Sequence, residues 1–317
     1  MLSLLIIAIA SACNSAAIER GTTPASKASQ ASCRIVKHAM GETCIPHNPQ
    51  RIVALWMGTF RSALALGIKP IATTQNLGEP FPEYLQGKAD GVESVGTYNQ
   101  PSLEKILLLK PDLILSMTRS HFQNIYTQLS NIAPTVVINV SAPPPTWQKH
   151  LEDVANIFDK QQQEKQVIEN YWQRIEQLKQ ALGDRRHHLQ VSFVSLYPGF
   201  GEIYTYGKKF STSIVLNDIG LQRPPAQSGD FFWGTGKISY ERLSEIDGDV
   251  LFLSMRREKA YEEALEKLQQ SPLWQKLKVV QRNQVYLVDL DRWYAFDVLA
   301  MNAVIDDLFK YLVSAKL

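Results

Sequence analysis

Short apolar runs rich in β-branched residues recur along the chain: RIVAL (51–55), DLILS (112–116), TVVINV (135–140), QVSFVSL (190–196) and the QVYLVD stretch ending at Asp289. Each has the length and continuity of a strand buried on both faces. Amphipathic stretches lie between them. One follows Trp56-Met57-Gly58 and stops at Gly67, SLEKILLLK (102–110) is halted by Pro111, and HFQNIYTQLSNIAP (121–134) closes at Pro134. Strands separated by helices of this length form right-handed parallel βαβ units, whose ligand face lies at the carboxyl ends of the strands.

The order of these elements repeats. SLEKILLLKPDLILS (102–116) aligns without a gap on SYERLSEIDGDVLFL (239–253): Ser102 falls on Ser239, Glu104 on Glu241, Lys105 on Arg242, Ile106 on Leu243 and Asp112 on Asp249. SALALGIKP (62–70) matches SIVLNDIGLQRP (213–224) in kind, and Trp56 with Gly58 matches Tyr197 with Gly199 after a first strand. The pattern predicts an α/β protein of two Rossmann-like lobes with parallel-type sheets, the first over 33–160 and the second over 184–317. Between them, residues 161–183 hold one long helix. Its Val167, Ile168, Tyr171, Trp172, Ile175, Leu178 and Leu182 fall on one stripe, and Gly183 offers a stop. At 1.5 Å per residue this bridge would be about 33 Å long.

The ends of the chain and its composition narrow the picture. With 317 residues, 45% hydrophobic, 20% charged and a formal net charge of +2, the chain has ample core and no basic excess to suggest nucleic acid. LSLLIIAIASA (2–12) is too short to span a bilayer and reads as the apolar part of an export signal. Ala10-Ser11-Ala12-Cys13 resembles a bacterial lipoprotein cleavage box, which implies a lipid on Cys13, and 14–32 reads as a polar tether. Cys33 and Cys44 flank a hairpin-like segment and are expected to be bridged in an exported protein.

With these residues in view, the chain resembles the periplasmic-type binding proteins of ABC importers that deliver ferric siderophores and vitamin B12, the class whose two lobes are joined by a single long helix. The likeness runs from Cys33 to Leu317 and is carried by SLEKI, SYERL, KPDLIL, IAPTVV, the bridging helix and QVYLVDLDRWYAF. The Cys33 hairpin and LSNIAPTVV are most similar to the ferric dicitrate and hydroxamate binders. The resemblance implies a monomeric lipoprotein on the periplasmic side of the cell envelope. It would capture a ferric siderophore and pass it to a permease dimer in the cytoplasmic membrane, with Glu104 and Glu241 docking into the permease. A cobalamin- or haem-binding protein of the same importer class is the alternative.

The site expected at the strand ends is cationic and aromatic. LILSMTR (113–119) and LFLSMRR (251–257) carry Arg119 on one lobe and Arg256 or Arg257 on the other, and a guanidinium suits carboxylates or an anionic chelate. Trp56, Tyr197, Trp293 and Tyr294 are the aromatic candidates, while Trp172 and Trp274 read as core. The six histidines lack ligand spacing, so no cofactor and no protein-held metal is expected, the iron arriving inside its chelator. An enzyme is not expected: GTGK (234–237) has Ile238 where a phosphate loop needs Ser or Thr and Phe231 where its first glycine belongs, and no GxSxG is present.

Overall fold

A computed structural model describes residues 33–75, 79–118, 120–198, 202–232 and 236–314. Cys13 and Arg119 lie outside them. The chain opens with an antiparallel hairpin, β1 (Cys33–His38) and β2 (Gly41–Pro46), closed by the Cys33–Cys44 disulfide. The bridge crosses the ladder diagonally, since Cys33 faces Pro46 and Cys44 faces Ile35.

The first sheet is parallel throughout. Its strands are β3 (Ile52–Ala54), followed by helix α1 (Met57–Ala65), β4 (Ala72–Thr73), β5 (Glu93–Ser94), then α2 (Leu103–Leu108), β6 (Leu113–Met117), α3 (Ser120–Asn124), α4 (Tyr126–Ile132) and β7 (Thr135–Ile138). They lie in the order β5-β4-β3-β6-β7. Every residue of β3, β6 and β7 is buried, which is why these strands read as unbroken apolar runs. The hairpin covers the β7 edge: Ala39 N donates to Val137 O and Thr43 Oγ1 to Thr135 O, both at 3.0 Å. A free edge is thereby shielded from pairing with another chain.

Two helices then lead to the second sheet, α5 (Trp147–Phe158) and the 22-residue α6 (Gln161–Leu182). That sheet contains β8 (Val191–Tyr197), β9 (Glu202–Thr205), β10 (Gly236–Ile238), β11 (Val250–Met255) and β12 (Val285–Asp289). Helix α7 (Ser211–Ile219) follows β9. Helices α8 (Lys259–Gln269), α9 (Pro272–Gln275) and α10 (Lys278–Gln281) lie between β11 and β12, and α11 (Leu290–Trp293) and α12 (Val298–Leu308) come last. The strand order is β10-β9-β8-β11-β12, with β8, β11 and β12 parallel. Against the expected parallel pattern, β9 returns antiparallel beside β8 and β10 antiparallel beside β9. Only residues 198–201 separate β8 from β9, too few for a crossover helix, whereas residues 206–235 between β9 and β10 carry α7. SYERLSEI also departs from expectation: Tyr240–Ile246 is a 3-10 helix, whereas SLEKILL is α-helical.

The repeated aspartate has a structural role. Asp112 accepts from Gln50 N (2.7 Å) and Arg51 N (2.8 Å), and Asp249 accepts from Gln190 N (2.9 Å). In each lobe the carboxylate opening one central strand satisfies backbone N–H groups at the start of its neighbour, fixing the register of the pair.

Helix α6 buries Tyr171, Ile175, Leu178 and Leu182, as its stripe predicts, and Gly183 ends it at φ 56°. Trp172 departs from that stripe, standing 40% exposed, because its ring turns outward to lie edge-on against Tyr171. Tyr171 ties the lobes together: Trp147 of α5 packs edge-on against it at 4.8 Å, and its Oη donates to Asp218 of α7 at 2.6 Å. Helix α6 is not the sole link. Helix α12 packs on α1 as well as on α6 and α7. Buried Asp297, which caps α12 through Ala300 N, pairs with Arg61 of α1 at 3.3 Å. One apolar core therefore runs from the first sheet through α5, α6 and α12 to one face of the second sheet, and a smaller cluster under α8, α9 and α10 covers the other face.

Candidate functional site

Loops that follow the strands of both sheets hold the candidate residues. Trp56 follows β3 as the N-cap of α1 and is half-buried, its ring edge-on to His150 at 4.7 Å. Burial pushes His150 down to about 4, so it is a neutral support. Gly58 is what lets the indole fold back over the helix start: a Cβ there would lie 2.7 Å from the ring. Gly58→Ala should displace the indole and lower ligand affinity by roughly tenfold, with little loss of stability because alanine favours a helix. Unchanged ligand-induced quenching of tryptophan fluorescence in this variant would contradict the arrangement.

On the second lobe the aromatic residues form a continuous wall. Tyr197, at the end of β8, meets Tyr204 edge-on at 5.4 Å, and Tyr294 packs against Phe210 (5.2 Å) and Tyr206 (6.1 Å). Burial raises the phenols of Tyr197, Tyr206 and Tyr294 above their ordinary value. They stay protonated at neutral pH, and the half-buried Tyr197 and Tyr294 can donate hydrogen bonds outward, while Tyr206 is buried and bonded to Ser195 and Tyr197. Phe232 and Phe296 stack at 5.6 Å with their planes 9° apart.

Phe232 and Phe296 border a cavity of about 370 Å³ bounded by both lobes, with Pro143–Trp147 on the first side and Lys208, Lys209, Ser211 and Ile214 completing the second. Residues 143–147 lie just beyond β7, and Ser211 and Thr146 stand at the starts of α7 and α5. These positions escape a reading of the sequence. They come from loops far apart in the chain, and the available signal, the Lys208-Lys209 pair and the proline run at successive strand ends, has no period.

The predicted residues divide accordingly. Trp56, Tyr197 and Tyr294 are half-buried at or just beyond strand ends, outside the lining of that cavity, whereas Trp293 turns into the core. It is 0% exposed, stacked on Phe252 at 4.6 Å, and its Nε1 donates to Asp307 at 2.8 Å. The cause is local: Leu290–Trp293 is a helical turn, so Trp293 turns inward to the sheet and Tyr294 outward. Arg256 is half-exposed and already neutralised, with Asp291 at 2.9 Å and Glu258 at 3.6 Å. Burial opposes its charge, but these acids outweigh it and hold the guanidinium above its ordinary value. Arg257 is exposed with no ion pair among the described residues, which likewise contain no group of three or more His, Cys, Asp or Glu placed to hold a metal.

Glu104 and Glu241 both stand exposed in the first turn of their helices. Ser102 caps α2 by accepting from Lys105 N, and the Ser239 hydroxyl with the backbone N–H of Glu241 holds that carboxyl below its usual range. Each has exposed leucine nearby. Leu107 (58%) and Leu108 (71%) share α2 with Glu104, and Leu273 (40%) sits on α9, which packs against the 3-10 helix of Glu241.

Comparison with known proteins gives consistent results. A family profile described as periplasmic binding protein matches residues 52–291. A probable siderophore-binding lipoprotein of Bacillus subtilis, YfiY, is 34% identical, the alignment covering 99% of this chain and 97% of that protein. The Fe(3+)-citrate-binding protein YfmC of the same organism is 29% identical over 93% of this chain and 90% of its own length. Among solved structures, Staphylococcus aureus SirA complexed with staphyloferrin B superposes with a TM-score of 0.71 at 25% identity, covering 88% of this chain and 98% of that one.

Proposed function

Since the chain belongs to the periplasmic binding protein family, we propose that it captures a ferric siderophore between its lobes and delivers it to the permease of an ABC importer. The observation that carries this reading is the interlobe cavity, where aromatic rings and the Lys208-Lys209 pair meet the proline-rich loop of the first lobe. Such a surface suits a bulky ligand of net negative charge: the rings supply apolar area, and neutral phenols and ammonium groups meet chelate oxygens. Relatives aligned over nearly their whole length are named for siderophores and ferric citrate, which supports the same class.

In this reading 33–160 and 184–317 are the two ligand-gripping lobes, 161–183 bridges them, and 1–32 supplies an export signal, a lipid on Cys13 and a tether holding a monomer at the outer side of the cytoplasmic membrane. Trp56, Tyr197 and Tyr294 contact the ligand, and the guanidinium groups of Arg119 and Arg257 meet its negative charge. Glu104 and Glu241 meet basic pockets on the two halves of the permease.

Titration with ferric citrate, a ferric hydroxamate, cobalamin and haem, followed by intrinsic tryptophan fluorescence, tests the ligand. Saturable quenching by a ferric chelate and not by cobalamin or haem is expected. Saturation by cobalamin or haem with flat ferric titrations would overturn the siderophore reading in favour of the alternative.

A further inference from the structure

A second pocket lies on the second lobe, separate from the interlobe cavity except for the two lysines they share. The loop after α7 folds back over the segment before it: Lys208 N donates to Gly229 O at 3.0 Å, Lys209 N to Phe231 O at 3.3 Å, and Asn217 Nδ2 to Lys208 O at 2.8 Å. Between these segments is a cavity of about 430 Å³, lined by Lys208, Lys209 and Arg223 together with Asn217, Ser228 and Asp230.

Arg223 is the unusual member. It is only 6% exposed, and its Nη2 donates to Gln227 Oε1 at 2.6 Å. That same oxygen already accepts from Phe193 N at 3.0 Å, while Gln227 Nε2 is engaged with Ser192 Oγ at 2.7 Å, so the amide has nothing further to offer. Nε and Nη1 of Arg223 are buried without a partner, and no carboxylate pairs with it among the described residues. Burial pulls the guanidinium down to about 9, still charged at neutral pH. A buried cation with two idle donors is unfavourable unless an anion meets it. Three cations against the single acid Asp230 leave the pocket with a positive excess.

We propose that this pocket is a binding site for a multivalent oxyanion of phosphate type, with Arg223 as its buried anchor and Lys208 and Lys209 at its rim. Arg223 supplies a fixed charge and unspent N–H donors, the lysines add mobile ammonium groups, and the volume leaves space for water or a substituent on the anion. Bound anion would also offset the lysine charge that faces the interlobe cavity.

The test uses the full chain and inorganic phosphate, with chloride at matched ionic strength as the reference. Phosphate should raise the melting temperature in a saturable way and broaden its own 31P resonance. Arg223→Gln should weaken the phosphate response by about ten- to a hundredfold, since charge-assisted hydrogen bonds are lost. Exposed Asp230→Asn, which leaves the fold untouched, should strengthen it several-fold by removing the only acid in the pocket. A response equal to that of chloride, or one unchanged in Asp230→Asn and Arg223→Gln alike, would overturn the proposal. Should Arg223→Gln fail to fold, Asp230→Asn decides alone. Neither residue lines the interlobe cavity, so this outcome is independent of the siderophore reading.

Discussion

Replacing Glu104 and Glu241 together by lysine should leave ferric-ligand binding unchanged and abolish iron uptake. Both carboxylates are exposed at helix starts, far from the interlobe cavity in the chain, and neither takes part in an ion pair among the described residues. Reversal therefore costs the isolated protein almost nothing. At an interface the balance changes, because a basic pocket that loses its acid and gains a like charge is both unpaired and repelled. Each single reversal should weaken permease association by roughly a hundredfold, and the double change should take it beyond detection. The exposed leucines beside each glutamate supply the apolar area such a contact needs, so Leu108→Asp should weaken docking in the same direction. Transport into permease-containing vesicles, measured beside fluorescence binding, separates the steps. Normal transport by the double variant would remove docking from both glutamates.

The second large effect concerns stability. Trp293→Ala should destabilise the protein by about 3–5 kcal/mol, the range for deleting a large buried ring. The indole fills the space between Phe193 and Phe252, and its loss also takes a donor from buried Asp307, leaving Arg292 as that carboxylate's partner. Trp293→Phe keeps much of the volume and loses only the hydrogen bond, so about 1–2 kcal/mol is expected. Denaturant unfolding measures both. The folded variants should still bind ligand with near-normal affinity; weak binding at full stability would return Trp293 to the ligand surface.

Trp293 also shows where a sequence stops being informative. The central strands were legible because strands buried on both sides are apolar without interruption, and the duplicated register was legible because Asp112 and Asp249 perform the same backbone task in both lobes. Which of two adjacent aromatics turns outward depends on a single helical turn, and at Leu290–Trp293 that turn buries Trp293, one of the two expected at the site. Arg256 illustrates a different limit. Its position after β11 was readable, but the Asp291 that neutralises it comes from another strand end, 35 residues on. The cavity-lining lysines and phenylalanines carry no periodic mark at all, since they converge only after both sheets are in place.

The packing of α12 on α1 has a consequence for how the molecule is assembled during synthesis. Residues 297–308 leave the ribosome after every strand of both sheets, yet they cap the flank of the first lobe and bring the Asp297 carboxylate that meets Arg61. Until then the nascent first lobe holds a guanidinium without its counter-charge beside an uncovered apolar seam, so its native packing waits on the last long helix to emerge.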